Sequence, residues 1–140
     1  HDSKWHTFSI SRHIYYVYRF ILEHETIAKN NSIREREIMI WASLLHDIGK
    51  FYCKSFINRK GEETPTANYI GHEHVGAQIA ISFLKKLDYD DYFIHRVATL
   101  IQFHMYLLDG DASEKKLINR VGEQVYEQLK ILREADVKAH

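Results

Sequence analysis

The sequence is short of the residues that bend and cross-link a chain. It holds one proline and six glycines in 140 residues, well under the roughly 12% these two types usually supply, which disfavours a turn-rich β-sandwich and points to a mostly helical protein. A single cysteine, Cys53, excludes an internal disulfide and suits a reducing cytoplasm. An excess of one charge is also missing. Nineteen Lys and Arg balance nineteen Asp and Glu, which disfavours broad electrostatic capture of nucleic acid or an acidic membrane surface; a charged partner must be gripped locally. The longest stretches free of Asp, Glu, Lys and Arg run from Val97 to Leu108 and from His74 to Leu84, too short for the roughly 20 apolar residues that span a bilayer. No secretory pattern is visible, so a cytoplasmic location is expected. With 45% hydrophobic residues the chain can build one core, and a single domain over residues 1–140 is expected. It begins at His1 rather than Met, which suits a piece of a longer protein.

What is present in quantity is histidine, ten residues in all. Histidine is intermediate in burial and is the commonest metal ligand, so its placement on apolar helices matters. Ser9 or Ser11 can cap a first helix whose apolar positions are Ile14, Val17, Tyr18, Ile21 and Leu22, with His13 in its first turns. That helix should fade near Asn30. Ser32 and Glu35 form a capping box for a second helix, whose stripe of Ile38, Trp41, Ala42 and Leu45 runs into His46 and Asp47. Gly49 is expected to end it in a left-handed conformation. Residues Phe51 to Gly71 lack a helical period and read as a long loop with room for a short hairpin. Further helices are expected from about His74 to Leu87, from Asp90 or Asp91 past Met105, from Ser113 to Val121, and from Val125 to Asp136. The fold class is all-α, a compact bundle of about five to six helices with a long loop after the second.

His13, the His46-Asp47 pair, His72, His104 and Asp136 lie where such helices can converge. None sits in a short local zinc pattern. A metal here would be assembled by tertiary packing, in a mixed nitrogen and oxygen shell that suits Fe, Mn, Co, Ni or Zn, and Mg less well.

The ordered set of His13, then His46-Asp47-Ile48-Gly49-Lys50, then Gly71-His72-Glu73, then Ala135-Asp136 resembles the signature of the HD-domain metal-dependent phosphohydrolases. Trp5-His6, the HDIGK run and the segment from Tyr69 to Ala77 are most similar to the HD domain of bacterial tRNA nucleotidyltransferases and their relatives. Ser9-Ile10 stands where those relatives commonly carry Asp-Val. The resemblance implies that His13, His46, Asp47 and Asp136 ligate a divalent metal, and that His72 and His104 hold a second ion or bind substrate phosphate. It implies hydrolysis of a nucleotide or RNA-end phosphate, such as a 2′-phosphate or 2′,3′-cyclic phosphate. Asp47 would also orient or deprotonate water, and Lys50, His72 and His104 would stabilise developing charge. Apart from the resemblance, Lys54, Arg59 and Lys60 make the next loop locally basic, either a substrate-facing positive mouth or a solvated loop whose charge Glu62 and Glu63 offset.

Each residue has a plainer reading. His13, His72 and His104 fit as packed core histidines, Asp136 as a solvated charge, and Lys50 as a cation favouring a helix C-terminus. His1-Asp2 repeats the two letters of the pair without an apolar stripe before it or Gly-Lys after it, and receives no role. His6 lies near the site only by resemblance; His24, His74 and His95 read as surface or packing residues. Cys53 has no histidine base assignable from sequence. Tyr15, Tyr18, Tyr89 and Tyr92 read as core or surface aromatics. The carboxylates of Asp88-Tyr89-Asp90 and Asp109-Gly110-Asp111 lack a phosphate-gripping turn before them and read as a helix cap and a turn. Two rival functions remain: a non-catalytic structural or tRNA-contacting module of a larger nucleotidyltransferase, and a di-iron oxygenase on the same scaffold. The expected partner is a phosphorylated small molecule, nucleotide or RNA end, with no membrane; the oligomeric state is open.

Overall fold

Ser32 Oγ accepts the Glu35 amide at 3.2 Å, and from this cap a helix runs through the apolar stripe to the His-Asp pair. In the computed structural model, which describes residues 2–29, 32–53, 55–57, 60–68, 71–106 and 110–139, it is the third of seven helices among the described residues. They are α1 (Asp2–Glu23), α2 (Glu25–Ala28), α3 (Ile33–Leu45), α4 (His72–Lys86), α5 (Asp91–Phe103), α6 (Gly110–Val121) and α7 (Glu123–Lys138). The all-α class holds. A 3-10 turn, Ile48–Phe51, leads into the expected loop, which contains a small antiparallel ribbon of β1 (Ser55–Ile57) and β2 (Glu63–Asn68). Ser55 pairs with Asn68 and Ile57 with Glu63, with an irregularity between.

Several boundaries differ from the sequence expectation, each for a local reason. α1 begins at Asp2 rather than at a serine cap. It ends at Glu23 because His24 leaves the helical region, with φ −64° and ψ 131°, and its Nδ1 accepts the Thr26 amide to start the one-turn α2. α4 begins at His72, two residues early, after Gly71 turns the chain at φ 80°. α5 starts where expected, with Asp90 Oδ1 accepting the Phe93 amide at 2.9 Å. α6 and α7 start at Gly110 and Glu123, slightly before the expected Ser113 and Val125.

Gly49 is the clearest correction. It lies in the 3-10 turn, outside the positive-φ glycines, and its role is close approach. A Cβ there would meet the His72 carbonyl oxygen at 2.0 Å and the Gly76 amide nitrogen at 2.8 Å. Two backbones therefore touch where the turn after Asp47 crosses α4.

The core is built from one face of each long helix. Ile21 of α1, Ile38 and Met39 of α3, Leu84 of α4, Leu100 of α5 and Leu132 of α7 are fully buried, each worth roughly 1.5–3 kcal/mol relative to exposure. Polar groups pin the same packing. Buried Arg96 on α5 donates to both Glu35 carboxylate oxygens, at 2.8 and 3.3 Å, and to Gln128 Oε1 at 2.6 Å. Gln128 Nε2 donates back to Glu35 at 2.9 Å. Glu35 thus joins α3, α5 and α7 as well as standing in the first turn of α3, a contact that sequence periodicity does not register. Among the described residues, no helix is long and apolar enough to cross a membrane.

Candidate metal centre

His46 is the C-cap of α3 and Asp47 follows at φ −109°, so the pair sits where the helix unwinds into the Gly49 turn. Both side chains are buried. His46 Nδ1 lies 2.7 Å from the Ser43 carbonyl oxygen. A carbonyl only accepts, so Nδ1 carries the proton and Nε2 is turned into the cavity between helices. His104, the C-cap of α5, is held likewise: its Nδ1 donates to the Ile101 carbonyl. Two imidazoles are thus fixed in one orientation by backbone oxygens one turn before them.

Around Asp47 the remaining groups close in. His13 Nε2, from α1, is 2.7 Å from Asp136 Oδ1 of α7 and 3.3 Å from Asp47 Oδ2. His46 Nε2 is 3.1 Å from Asp47 Oδ2 and 3.3 Å from Asp136 Oδ1. On the other side of the carboxylate, Asp47 Oδ1 faces His72 Nε2 at 3.2 Å and His104 Nε2 at 3.5 Å, and those two nitrogens are 3.3 Å apart. The result is two donor groups sharing Asp47: His13, His46, Asp47 and Asp136, and Asp47, His72 and His104. His72 lies in the first turn of α4, rather than before the helix.

The electrostatics follow from this crowding. The hydrogen bond to Asp136, then the close approach of the Asp47 carboxylate, raises the His13 pKa to about 9. Burial opposes a charge on His46, yet Asp47 beside it wins and the pKa is again pushed up to about 9. Burial likewise works against ionised Asp47 and Asp136, and the neighbouring histidines more than offset it, holding both carboxyls well below their usual range. In the metal-free centre the two carboxylates therefore favour protonated His13 and His46. The protons occupy the role a cation would take.

These donors fit a divalent metal ion on two further counts. Asp47 Oδ2 is buried and makes no hydrogen bond of proper geometry, although His46, His13 and Lys50 Nζ stand 3.1, 3.3 and 3.4 Å away. The mixture of imidazole nitrogen and carboxylate oxygen suits Fe, Mn, Co, Ni or Zn better than Mg.

Other candidates fall elsewhere. Lys50 lies beside Asp47, one 3-10 turn on. Lys54 and Arg59 lie outside the described residues, and Lys60 is exposed. The His6 side chain and Asp109 are likewise outside them. His24 caps α2 and stands 3.6 Å from Glu134; His74 and His95 are exposed. Burial, with the nearby Glu73 charge, raises the Cys53 pKa and keeps the thiol protonated. Tyr89 accepts the Trp41 indole N–H at 3.0 Å, and Asp90 serves as the expected cap. Sequence reasoning passed over Arg12 and Lys138, which flank the centre in an adjoining cleft; their signal was adjacency, one residue from His13 and two from Asp136.

The family model of the HD domain matches residues 10–139. The chain belongs to the HD domain family. This HD domain is 27% identical over 117 residues to the A-adding tRNA nucleotidyltransferase of Deinococcus radiodurans, a match covering 80% of the chain and 26% of that protein. It thus spans about a quarter of the relative's length. No solved structure matches it.

Proposed function

We propose that this HD domain is a metal-dependent phosphohydrolase that cleaves nucleotide or RNA-end phosphate esters, with 2′-phosphates and 2′,3′-cyclic phosphates as the leading substrates. The observation that carries the proposal is the shared position of Asp47, whose two oxygens face two separate sets of imidazoles. His13, His46, Asp47 and Asp136 would hold one ion, and Asp47, His72 and His104 a second. When bound, such an ion supplies Lewis acidity, bringing the pKa of a water towards 7 and drawing charge from phosphoryl oxygens.

The residues of the chain do the rest. Ser43 and Ile101, through their carbonyls, keep His46 and His104 in the tautomer that presents Nε2 inward. Asp47 stays ionised through its histidine neighbours, so it orients a nucleophilic water by accepting its hydrogen. Lys50, half-buried beside Asp47, brings an ammonium to a phosphoryl oxygen and offsets the charge that grows there. His13, Asp47 and Lys50 also line the cleft that opens beside the centre, which is the route for an ester to reach them.

A panel of phosphomonoesters and cyclic phosphodiesters, assayed with Mn, Co, Ni, Zn, Fe and Mg, tests the proposal on the wild type and Asp47→Ala. Metal-dependent turnover by the wild type, lost in the variant, is expected. Equal rates in both proteins sink it.

A second reading draws on the tRNA nucleotidyltransferase relative: the domain serves a longer enzyme as a tRNA-contacting arm. Salt-dependent tRNA binding without hydrolysis of any ester by the metal-loaded protein would select that reading.

A further inference from the structure

The open cleft beside the metal centre has a volume of about 880 Å³, within the usual size of small-molecule sites. Its floor is His13, Asp47 and Lys50, and its wall is one face of α1 continued by the end of α7. Along α1 the residues at helical spacing from His13 are Tyr16 and Phe20. They lie about 4.5 and 10 Å along the axis from it at 1.5 Å per residue. The Arg12 guanidinium stands 5.8 Å from the Tyr16 ring centre, and the Lys138 ammonium 5.4 Å from that of Phe20. The wall thus carries two aromatic rings, each with a cation beside it.

The ion pairs of this wall decide what it can attract. Arg19, at its outer edge, is committed to Glu23 at 2.7 Å and to the Tyr15 hydroxyl at 3.0 Å. Lys50 is beside Asp47. Arg12 and Lys138 line the same cleft and form no ion pair with any described residue. In a chain of net charge zero, two cations with no ion pair among the described residues, on one largely apolar wall, are a local feature.

The geometry points to this cleft as a recognition subsite for a nucleoside that bears a second phosphate besides the one held at the metal centre, its base against the aromatic wall of Tyr16 and Phe20 and its second phosphate in the positive field of Arg12 and Lys138. The inference rests on the hydrolase proposal for the first phosphate and adds the specificity determinants. Apolar lining alone would accept a nucleoside, and the cations alone would accept any bisphosphate; a ligand that uses both has a planar ring and two anionic groups. Lys138 stands beside Phe20, about two turns of α1 from His13. This places a cation away from the reacting group, on the far side of the bound nucleoside.

Three probes separate these contributions with the metal-loaded full chain: adenosine 5′-monophosphate, adenosine 3′,5′-bisphosphate and fructose 1,6-bisphosphate. Stopped-flow tyrosine fluorescence reads binding within milliseconds of mixing, ahead of turnover, and phosphate release is followed separately. The nucleoside bisphosphate is expected to bind at least about tenfold more tightly than either other probe, the usual scale for one charge-assisted contact. Arg12→Ala and Lys138→Ala should bring it down towards the monophosphate, and Tyr16→Ala towards the sugar bisphosphate. All three side chains are exposed, so these variants should fold. Equal binding of the three probes, or variants that leave the preference intact, overturns the inference. Equal rates of wild type and Asp47→Ala on the ester panel, with the binding preference retained, would instead remove the hydrolase proposal and leave the subsite. A short oligoribonucleotide ending in a 3′-phosphate identifies the source: tighter binding than the bisphosphate points to RNA ends, weaker binding to free nucleotides.

Discussion

His13 Nε2 and Asp136 Oδ1 are 2.7 Å apart although 123 positions separate them in the chain. The contact fastens the first long helix to the last and closes the metal centre between them. It is also the largest cause of the raised His13 pKa. Replacement of Asp136 by Asn should therefore return the His13 titration from about 9 towards 6.5 in the metal-free protein, read by NMR of its ring protons. Affinity for Mn or Zn should fall by more than about tenfold. An unmoved His13 titration would refute the assignment of this pair.

Asp47 is common to both donor groups, whereas His104 belongs to one. Elemental analysis should therefore find Asp47→Ala depleted of all bound metal and His104→Ala missing no more than one ion per chain. Equal metal content in the two variants would mean that the carboxylate does not bridge two positions.

The protons of the metal-free centre make a prediction with a definite sign. His13 and His46 have folded pKa values of about 9 against 6.5 for the free side chain. Their stabilisation is complete below about pH 6.5 and is lost as pH rises towards 9. Asp47 and Asp136, shifted down from 3.8, stabilise fully above that value and lose their effect only as acid protonates them. In chelator the melting temperature should fall between pH 6.5 and 9. Metal affinity should rise over the same interval, because binding must displace those protons. Calorimetry in two buffers of different ionisation enthalpy gives the number of protons released.

Gly49→Ala places a methyl group against the His72 carbonyl and the Gly76 amide. The clash is with backbone and can be relieved only by moving the Asp47–Lys50 turn away from α4. A loss of about 1–3 kcal/mol is expected by chemical denaturation, together with weaker metal binding in whatever fraction folds, since His72 and Asp47 separate. Gly76→Ala, whose nearest neighbour is the Ile101 side chain at 3.3 Å, should be milder.

Glu35→Ala strips the carboxylate from Arg96, which is 6% exposed. An uncompensated buried cation should cost about 3–5 kcal/mol. Adding Arg96→Met removes that cation and should recover part of the loss. If the double variant were as unstable as the sum of the two single changes, the pair would not be coupled.

Much of the fold was legible in local pattern. The sequence marks Ser32 and Asp90 as caps and both serve as caps, because a side-chain oxygen three residues before an amide is a property of near neighbours in the chain. The extra one-turn helix was not visible, since it depends on the backbone leaving the helical region at His24. Gly49 has the sequence context of a left-handed stop, since a glycine after a helix commonly is one. Its actual constraint comes from α4, more than twenty residues later in the chain.

The sequence by itself determined the helical class and the inventory of chemistry-bearing residues, because periodicity, capping and motif order are carried by near neighbours along the chain. Only tertiary structure decided that Asp47 divides its two oxygens between His13 with His46 and His72 with His104, that Glu35 leads to Arg96 as well as to its own helix, and that Arg12 and Lys138 share a cleft. Those relations join residues on different helices. They are fixed by how buried faces pack and by which polar groups must find partners once water is excluded.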